Sequence, residues 1–352
     1  MIDSTYENSV DQHWQALPDD IRKAIKAGWA NGMPPLASAL YGRWWQLESW
    51  LRTLLYVELR AKLGSDWVNA LPTVSENRQQ GEQELRYMAT PDAQNRLAYT
   101  DASVLFRMTL EHWALFEDTL LSKNVWAGRV DELLAIRNRI GHCRRPHTDD
   151  LIRLEQTLRD LNGGAFTAIS TFNNQGHADN NWTDAVTDGW VRGQHKDAVR
   201  LISHAERQYD TTFELRYSRR PWVKLPNQQS TISGVPGYIW HAFWYFRGRR
   251  PFQLDRFWKR LEYYCEPILL VCSDSPSSIE VSFAAVESPI IVADVIGKCF
   301  DAALMSLLES TAAAGDDSTW QQWYKDIDPR VLVRSPWTVI DGSMHNVSIF
   351  SA

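Results

Sequence analysis

The sequence predicts an α+β protein whose N-terminal part is all-α and whose C-terminal part is a mixed α/β domain. Three observations carry this reading. Between residues 36 and 161 apolar residues recur at steps of three and four, as in helices that bury one face. After residue 182 short runs with a period of two appear between helical segments. The 352 residues leave room for two domains of ordinary size, each able to bury its own core. The expected organisation is a polar arm over residues 1–17, a helical bundle over 18–164, a linker over 165–182 and the mixed domain over 183–352.

Taken in order, residues 18–27 begin a short helix that Gly28, Gly32, Pro34 and Pro35 stop. Residues 36–63 read as one long helix, with Leu40, Trp44, Leu47, Leu51 and Leu54 on its stripe and Gly64 at its end. Residues 65–100 are polar, with Pro72, Gly81 and Pro91, and read as an insertion with short helices. A helix over 102–121 carries Leu105, Met108, His112, Phe116 and Leu120 on one face; His112 reads as a core or contact histidine. Another helix starts near Ala127. After Pro146, Thr148 is the expected N-cap, Asp149 and Asp150 complement the helix dipole, and Leu151, Leu154, Leu158 and Leu161 form the stripe. Asn162-Gly163-Gly164 is the expected end of this bundle, and residues 171–181 read as a loop, with a strand over 166–171 as the alternative. In the second half, residues 199–209, 252–264 and 290–310 read as helices, and 211–217, 268–272, 279–284, 331–333 and 347–350 as strands. The aromatic run 238–246 fits a strand or a buried helix equally.

Composition narrows the class. Hydrophobic residues make up 44% and charged residues 23%, as in soluble globular proteins, and no apolar run reaches membrane-spanning length. The opening residues, with Asp3, Glu7 and Asp11, are not a signal peptide. Cys143, Cys265, Cys272 and Cys299 show no metal-ligand or redox spacing, so reduced thiols and a cytoplasmic location are expected. The net charge of -6 hides an asymmetry. Ten Lys or Arg and a single acid, Asp255, fall between Arg216 and Arg260, so a basic region able to gather phosphates sits in an acidic chain. His177 and Asp179 alone do not make a metal site. A Walker loop, a His-Glu-x-x-His pair and a Cys-x-x-Cys pair are all absent from the sequence.

One stretch carries residues that a plain core would not choose. In Leu133-Leu134-Ala135-Ile136-Arg137-Asn138-Arg139-Ile140-Gly141-His142, the apolar stripe of Val130, Leu133, Leu134 and Ile140 includes Arg137. A guanidinium turned toward packing needs a partner or a ligand, because an unpaired desolvated charge costs several kcal/mol. Arg137 and His142 are five apart, roughly 140° around a straight helix. Convergence of the two therefore requires a bend at Gly141 and Pro146 or a second copy of the chain. With 28 Arg and 9 His in the chain, chance supplies about 0.7 instances of Arg-x4-His, and about 0.03 once Asn must follow the Arg. Arg107 and His112 form the unadorned pattern; Arg137-Asn138 forms the rarer one.

Arg137-Asn138-Arg139-Ile140-Gly141-His142, with its apolar helical lead-in, resembles the Arg-Asn-x3-His signature of HEPN domains (higher eukaryotes and prokaryotes nucleotide-binding). The resemblance covers roughly residues 18–162. It implies an up-and-down helical bundle that pairs with a second copy around one cleft, and a metal-independent endoribonuclease of a toxin or antiphage (abortive infection) system. No cofactor and no metal are implied; RNA is the implied partner, with an antitoxin or phage-derived trigger. His142 would transfer protons, Arg137 would stabilise the phosphorane, and Asn138 would orient phosphate or ribose. Arg139, Arg144 and Arg145 would hold flanking phosphates. Glu48 and Arg52, four apart on the first long helix, either form an exposed ion pair or face the cleft. Some toxin members carry Tyr two residues after the His, where this chain has Arg144. The alternative is a catalytically inactive RNA- or protein-binding module, antitoxin-like or a sensor, with Arg137 paired to a buried acid and His142 capping its helix.

The basic-aromatic region carries its own expectation. Arg219, Arg220, Trp222 and Lys224, then Trp244, Tyr245, Arg247, Arg249, Arg250, Arg256, Trp258, Lys259 and Arg260, combine phosphate-binding charge with stacking surfaces. Among them Arg247, Arg249, Arg250, Lys259 and Arg260 are expected to bind RNA in a recognition or regulatory domain. The other reading places the aromatics in the core and the arginines on a solvated face.

Overall fold

The structure, a computed structural model, describes residues 14, 17–85, 87, 95–224, 230–246, 251–308, 327–344 and 347–350. Helix α1 spans Asp19–Ala30 and α2 spans Pro35–Leu63. Leu40, Trp44, Leu47, Leu51 and Leu54 are buried along α2 at the expected steps. Gly64, at φ 59°, follows the last helical residue. The polar insertion holds α3, Thr73–Gln83, between two 3-10 turns, Gly64–Ala70 and Arg96–Tyr99.

Helix α4 spans Ala102–Glu111, shorter than the helix expected over 102–121. His112 caps it and a 3-10 turn, Trp113–Leu115, follows. Leu105, Met108, Leu115, Phe116 and Leu120 are all buried across the break, so the break leaves no mark on the apolar spacing. Helix α5 spans Lys123–Gly141 and α6 spans Asp150–Asn173.

The course of α6 overturns the stop expected at Asn162-Gly163-Gly164, and with it the loop from Thr171 and the strand considered over 166–171. A Cβ on Gly164 would lie 2.1 Å from the Thr119 carbonyl oxygen. That glycine serves close backbone approach inside a helix; it does not terminate one.

Two compact units divide the chain, Met1–Ser49 with Gly128–Arg159, and Trp50–Ala127 with Asp160–Ala352. Helices α2, α5 and α6 contribute residues to both. The second unit contains a six-stranded sheet of order β1-β2-β3-β5-β4-β6. Its strands are β1 Gly176–His177, β2 Thr211–Arg219, β3 Tyr238–Phe246, β4 Ile268–Ser273, β5 Ser278–Ala284 and β6 Val331–Val333. All pairs are antiparallel except β4 with β6. Its helices are α7 Ala185–Trp190, α8 Ala198–Tyr209, α9 Leu254–Leu261, α10 Pro289–Met305 and α11 Pro336–Val339.

Strand β3 explains why its sequence was ambiguous. Tyr238, Trp240, Ala242, Trp244 and Phe246 join the core formed with α7, α8, α9 and α10. From the opposite face His241 meets Phe172 of α6 edge-on at 5.0 Å. A central strand covered on both faces loses the period of two.

His241 is fully buried, its Nε2 2.7 Å from Ser218 Oγ and its Nδ1 2.9 Å from Glu280 Oε1. Residues 347–350, expected as a strand, form an irregular turn: Phe350 packs edge-on against Trp50, and the Ile349 N–H donates to Asn162 Oδ1. Among the described residues no helix is long and apolar enough to cross a membrane.

Candidate active site

The site lies in the first unit, where α5 ends and α6 begins. Val130, Leu133 and Ile136 bury the inner face of α5. Arg137 and Ile140 are half-buried beside that stripe, while Asn138, Gly141 and His142 are exposed. The Arg137 guanidinium folds back toward the helix end, with Nη1 3.4 Å from where a Cβ on Gly141 would stand. Among the described residues no side chain pairs with Arg137, so the buried acid of the inactive reading is not found.

Helix α5 closes with a Schellman turn. The Arg144 N–H donates to the Arg139 carbonyl at 2.8 Å, and the Cys143 N–H to the Ile140 carbonyl at 3.2 Å. Cys143 takes the left-handed position at φ 53°, usually held by glycine. His142 is thereby the capping residue, its N–H on the Asn138 carbonyl at 3.3 Å. The helix ends where Gly141 and Pro146 suggested a bend, and residues 142–145 project as an exposed basic turn of His, Cys, Arg and Arg.

Asp150, the first residue of α6, fastens this turn from beneath. It is 1% exposed and receives Arg139 Nε on Oδ2 at 2.8 Å, Arg139 Nη2 on Oδ1, and the His147 N–H on Oδ2 at 2.9 Å. Burial alone would raise the Asp150 carboxyl; the bonds from Arg139 and His147 outweigh it and hold it below the usual carboxylate range. The same pair raises the Arg139 guanidinium. Arg139, expected on flanking phosphates, is thus engaged by the protein, whereas Arg144 and Arg145 are exposed. Asp150 entered the sequence reading only as a dipole partner. Asp150 and Arg139 stand on different helices across an irregular loop, so periodicity gave no sign of the pair.

The other expected residues are placed as follows. Glu48 is half-buried and accepts from the Trp44 indole N–H. Half-buried Arg52 donates from Nε to the Leu97 carbonyl at 3.0 Å. Neither side chain is the freely exposed member of a surface pair. Arg43, not singled out from the sequence, grips Glu155 through Nε–Oε1 at 2.6 Å and Nη2–Oε2 at 2.8 Å.

The basic-aromatic region divides. Arg220 is fully buried and bonds Glu58, which is equally buried, while the Trp222 indole donates to the same carboxylate at 2.7 Å. Trp244 is fully buried, and Trp258 lies under Arg330 at 4.9 Å. Arg220 and Trp244 are core, and Trp222 and Trp258 are half-buried with these protein partners, which corrects their reading as a nucleic-acid surface. Charged residues inside the apolar run of α2, Glu58 and Arg60, were the sequence sign of buried partners. On α9, Leu254, Phe257 and Leu261 face inward and Arg256, Lys259 and Arg260 outward. Arg247, Arg249 and Arg250 lie outside the described residues. Among the described residues, no group of three or more His, Cys, Asp or Glu is placed to hold a metal ion.

Residues 45–163 match the family model described as Swt1-like HEPN, so the N-terminal half of the chain carries a HEPN domain. The match spans about a third of the chain, and residues 164–352 lie outside it. No curated protein and no solved structure gives a significant match.

Proposed function

We propose that this protein is a metal-independent RNA endonuclease of a toxin or antiphage defence system. One observation carries the reading: the half-buried Arg137, without a protein acid among the described residues, lies on the last turns of the HEPN helix that ends at the exposed His142. A cation so placed suits a phosphate.

In the reaction, the ribose O2′ attacks the adjacent phosphorus and its proton passes to a base. The P–O5′ bond breaks, and O5′ takes a proton from an acid, leaving a 2′,3′-cyclic phosphate and a 5′-hydroxyl. His142 suits these transfers because imidazole titrates near neutrality. Arg137 is charged throughout and presents a fixed fork to the phosphorane. Asn138, one residue on, orients the ribose or the scissile phosphate, and Arg144 and Arg145 hold flanking phosphates. The Arg-Asn-x3-His stretch of a single chain offers one His, since His147 lies beyond it at the foot of the turn. The proposal therefore includes a homodimer, in which the second His142 serves as the complementary acid or base. The cytoplasm, with its RNA and reducing conditions, is the proposed location.

A non-catalytic RNA- or protein-binding HEPN module is the second reading, favoured by that single His. Activity of purified parent, Arg137→Ala and His142→Ala on a labelled tRNA and total-RNA pool separates them. The enzyme reading expects cleavage by the parent and a loss of about 10² to 10⁴ in each variant. Equal RNA binding by all three without cleavage supports the module.

A further inference from the structure

Asp150 does something a helix-terminal acid need not do. An acid placed only to complement the α6 dipole stays in solvent, as Asp149 does. Asp150 is instead buried to 1% exposure and accepts three hydrogen bonds from two sides of the projecting turn. Arg139 lies three residues before His142, and His147 five residues after it. The carboxylate thereby joins both stems of the turn, with a guanidinium fork on one stem and a backbone N–H on the other. The Arg139 carbonyl, on the same residue, receives the Arg144 N–H that closes the Schellman turn. Freeing Arg139 would loosen both the ion pair and that closure.

We propose that Asp150 is a positioning residue for the RNA-cleaving site, fixing the course of residues 141–147 and so the placement of His142 relative to Arg137. This rests on the endonuclease reading above. The carboxylate touches no substrate; it acts through Arg139 and the His147 backbone. Displacement of a reacting group by about 1 Å from remote changes typically costs on the order of 100-fold in rate, which sets the effect to look for.

The test uses full-length parent, Asp150→Asn, Arg139→Met and the control Asp149→Asn, whose side chain sits in the same turn without the Arg139 pair. Backbone hydrogen exchange over residues 139–150 is followed by mass spectrometry, alongside kcat and KM on a cleaved RNA and its pH–rate profile. Asp150→Asn and Arg139→Met should each speed exchange of the turn at least 10-fold. They should also lower kcat by about 10- to 100-fold with KM within threefold, and shift the pH limb assigned to His142. Asp149→Asn should change none of these. Unaltered exchange and kcat in Asp150→Asn, or equal effects of Asp149→Asn, would overturn the proposal and reduce Asp150 to a helix-end charge. If Asp150→Asn does not fold, Arg139→Met decides. A parent that cleaves no RNA defeats the endonuclease reading and with it the catalytic part of this proposal, while the exchange data then decide whether Asp150 fixes the turn.

Discussion

Three arginines show how one residue type takes three roles according to what surrounds it. Arg137 is half-buried with its guanidinium near Gly141 and no acid partner among the described residues, and in the proposed reaction it meets the phosphate. Arg139, two positions on, is tied to Asp150 and serves the shape of the turn. Arg220 lies wholly inside the second unit, sharing Glu58 with the Trp222 indole. Removing one partner from such a pair leaves an uncompensated buried charge. Glu58→Gln is therefore expected to destabilise the protein by about 3–5 kcal/mol, read as a lowered midpoint of denaturant unfolding with the slope unchanged. An unchanged midpoint would contradict this burial. Asp150 adds a pH dependence of known sign. Its carboxyl is held low in the folded protein, so its stabilising contribution is complete at neutral pH. That contribution fades only as pH falls from the ordinary carboxylate range through the lowered value. The stability difference between parent and Asp150→Asn should accordingly shrink in acid, below about pH 4.

At the scale of elements, neighbours distant in sequence decided what local signals could not. Gly163-Gly164 reads as a helix stop, yet α6 runs through it because Gly164 lets the Thr119 carbonyl approach. Gly163, with open space where its Cβ would be, has no such constraint. Gly164→Ala should thus lower the melting temperature sharply, since the backbone must move to admit the methyl. Gly163→Ala should leave it unchanged or raise stability by up to about 1 kcal/mol through helix propensity. Thermal unfolding of the two variants checks the contrast. The same lesson runs through α4, whose break at His112 is hidden because the burial pattern continues across it. It applies as well to β3, where both faces are covered and alternation disappears. By contrast α5 and the first half of α2 were legible, because each buries one face at steps of three and four.

For the whole molecule, the motif was readable because Arg-Asn-x3-His is rare by chance, and because its apolar lead-in is a property of one helix. The device that holds the turn was not, since Arg139 and Asp150 meet across an irregular loop. Charge density along the chain likewise could not tell an outward Arg from an inward one. In the basic stretch of the second unit Arg220 proved to be core and Arg216 and Arg219 half-buried, while Arg256, Lys259 and Arg260 stand on the outer face of α9. If that face binds RNA, Lys259→Glu with Arg260→Glu should weaken RNA binding and reduce its dependence on salt by about two phosphate contacts. Affinity measured across a salt series checks this, and an unchanged slope would remove α9 from the RNA path.

The most direct test of the central claim is cleavage of a labelled RNA pool by the purified protein in EDTA, beside Arg137→Ala and His142→Ala, with the new ends identified chemically. Cleavage by the parent alone, leaving 2′,3′-cyclic phosphate and 5′-hydroxyl ends, is the predicted result. Cleavage that survives both substitutions, or that EDTA abolishes, would contradict it.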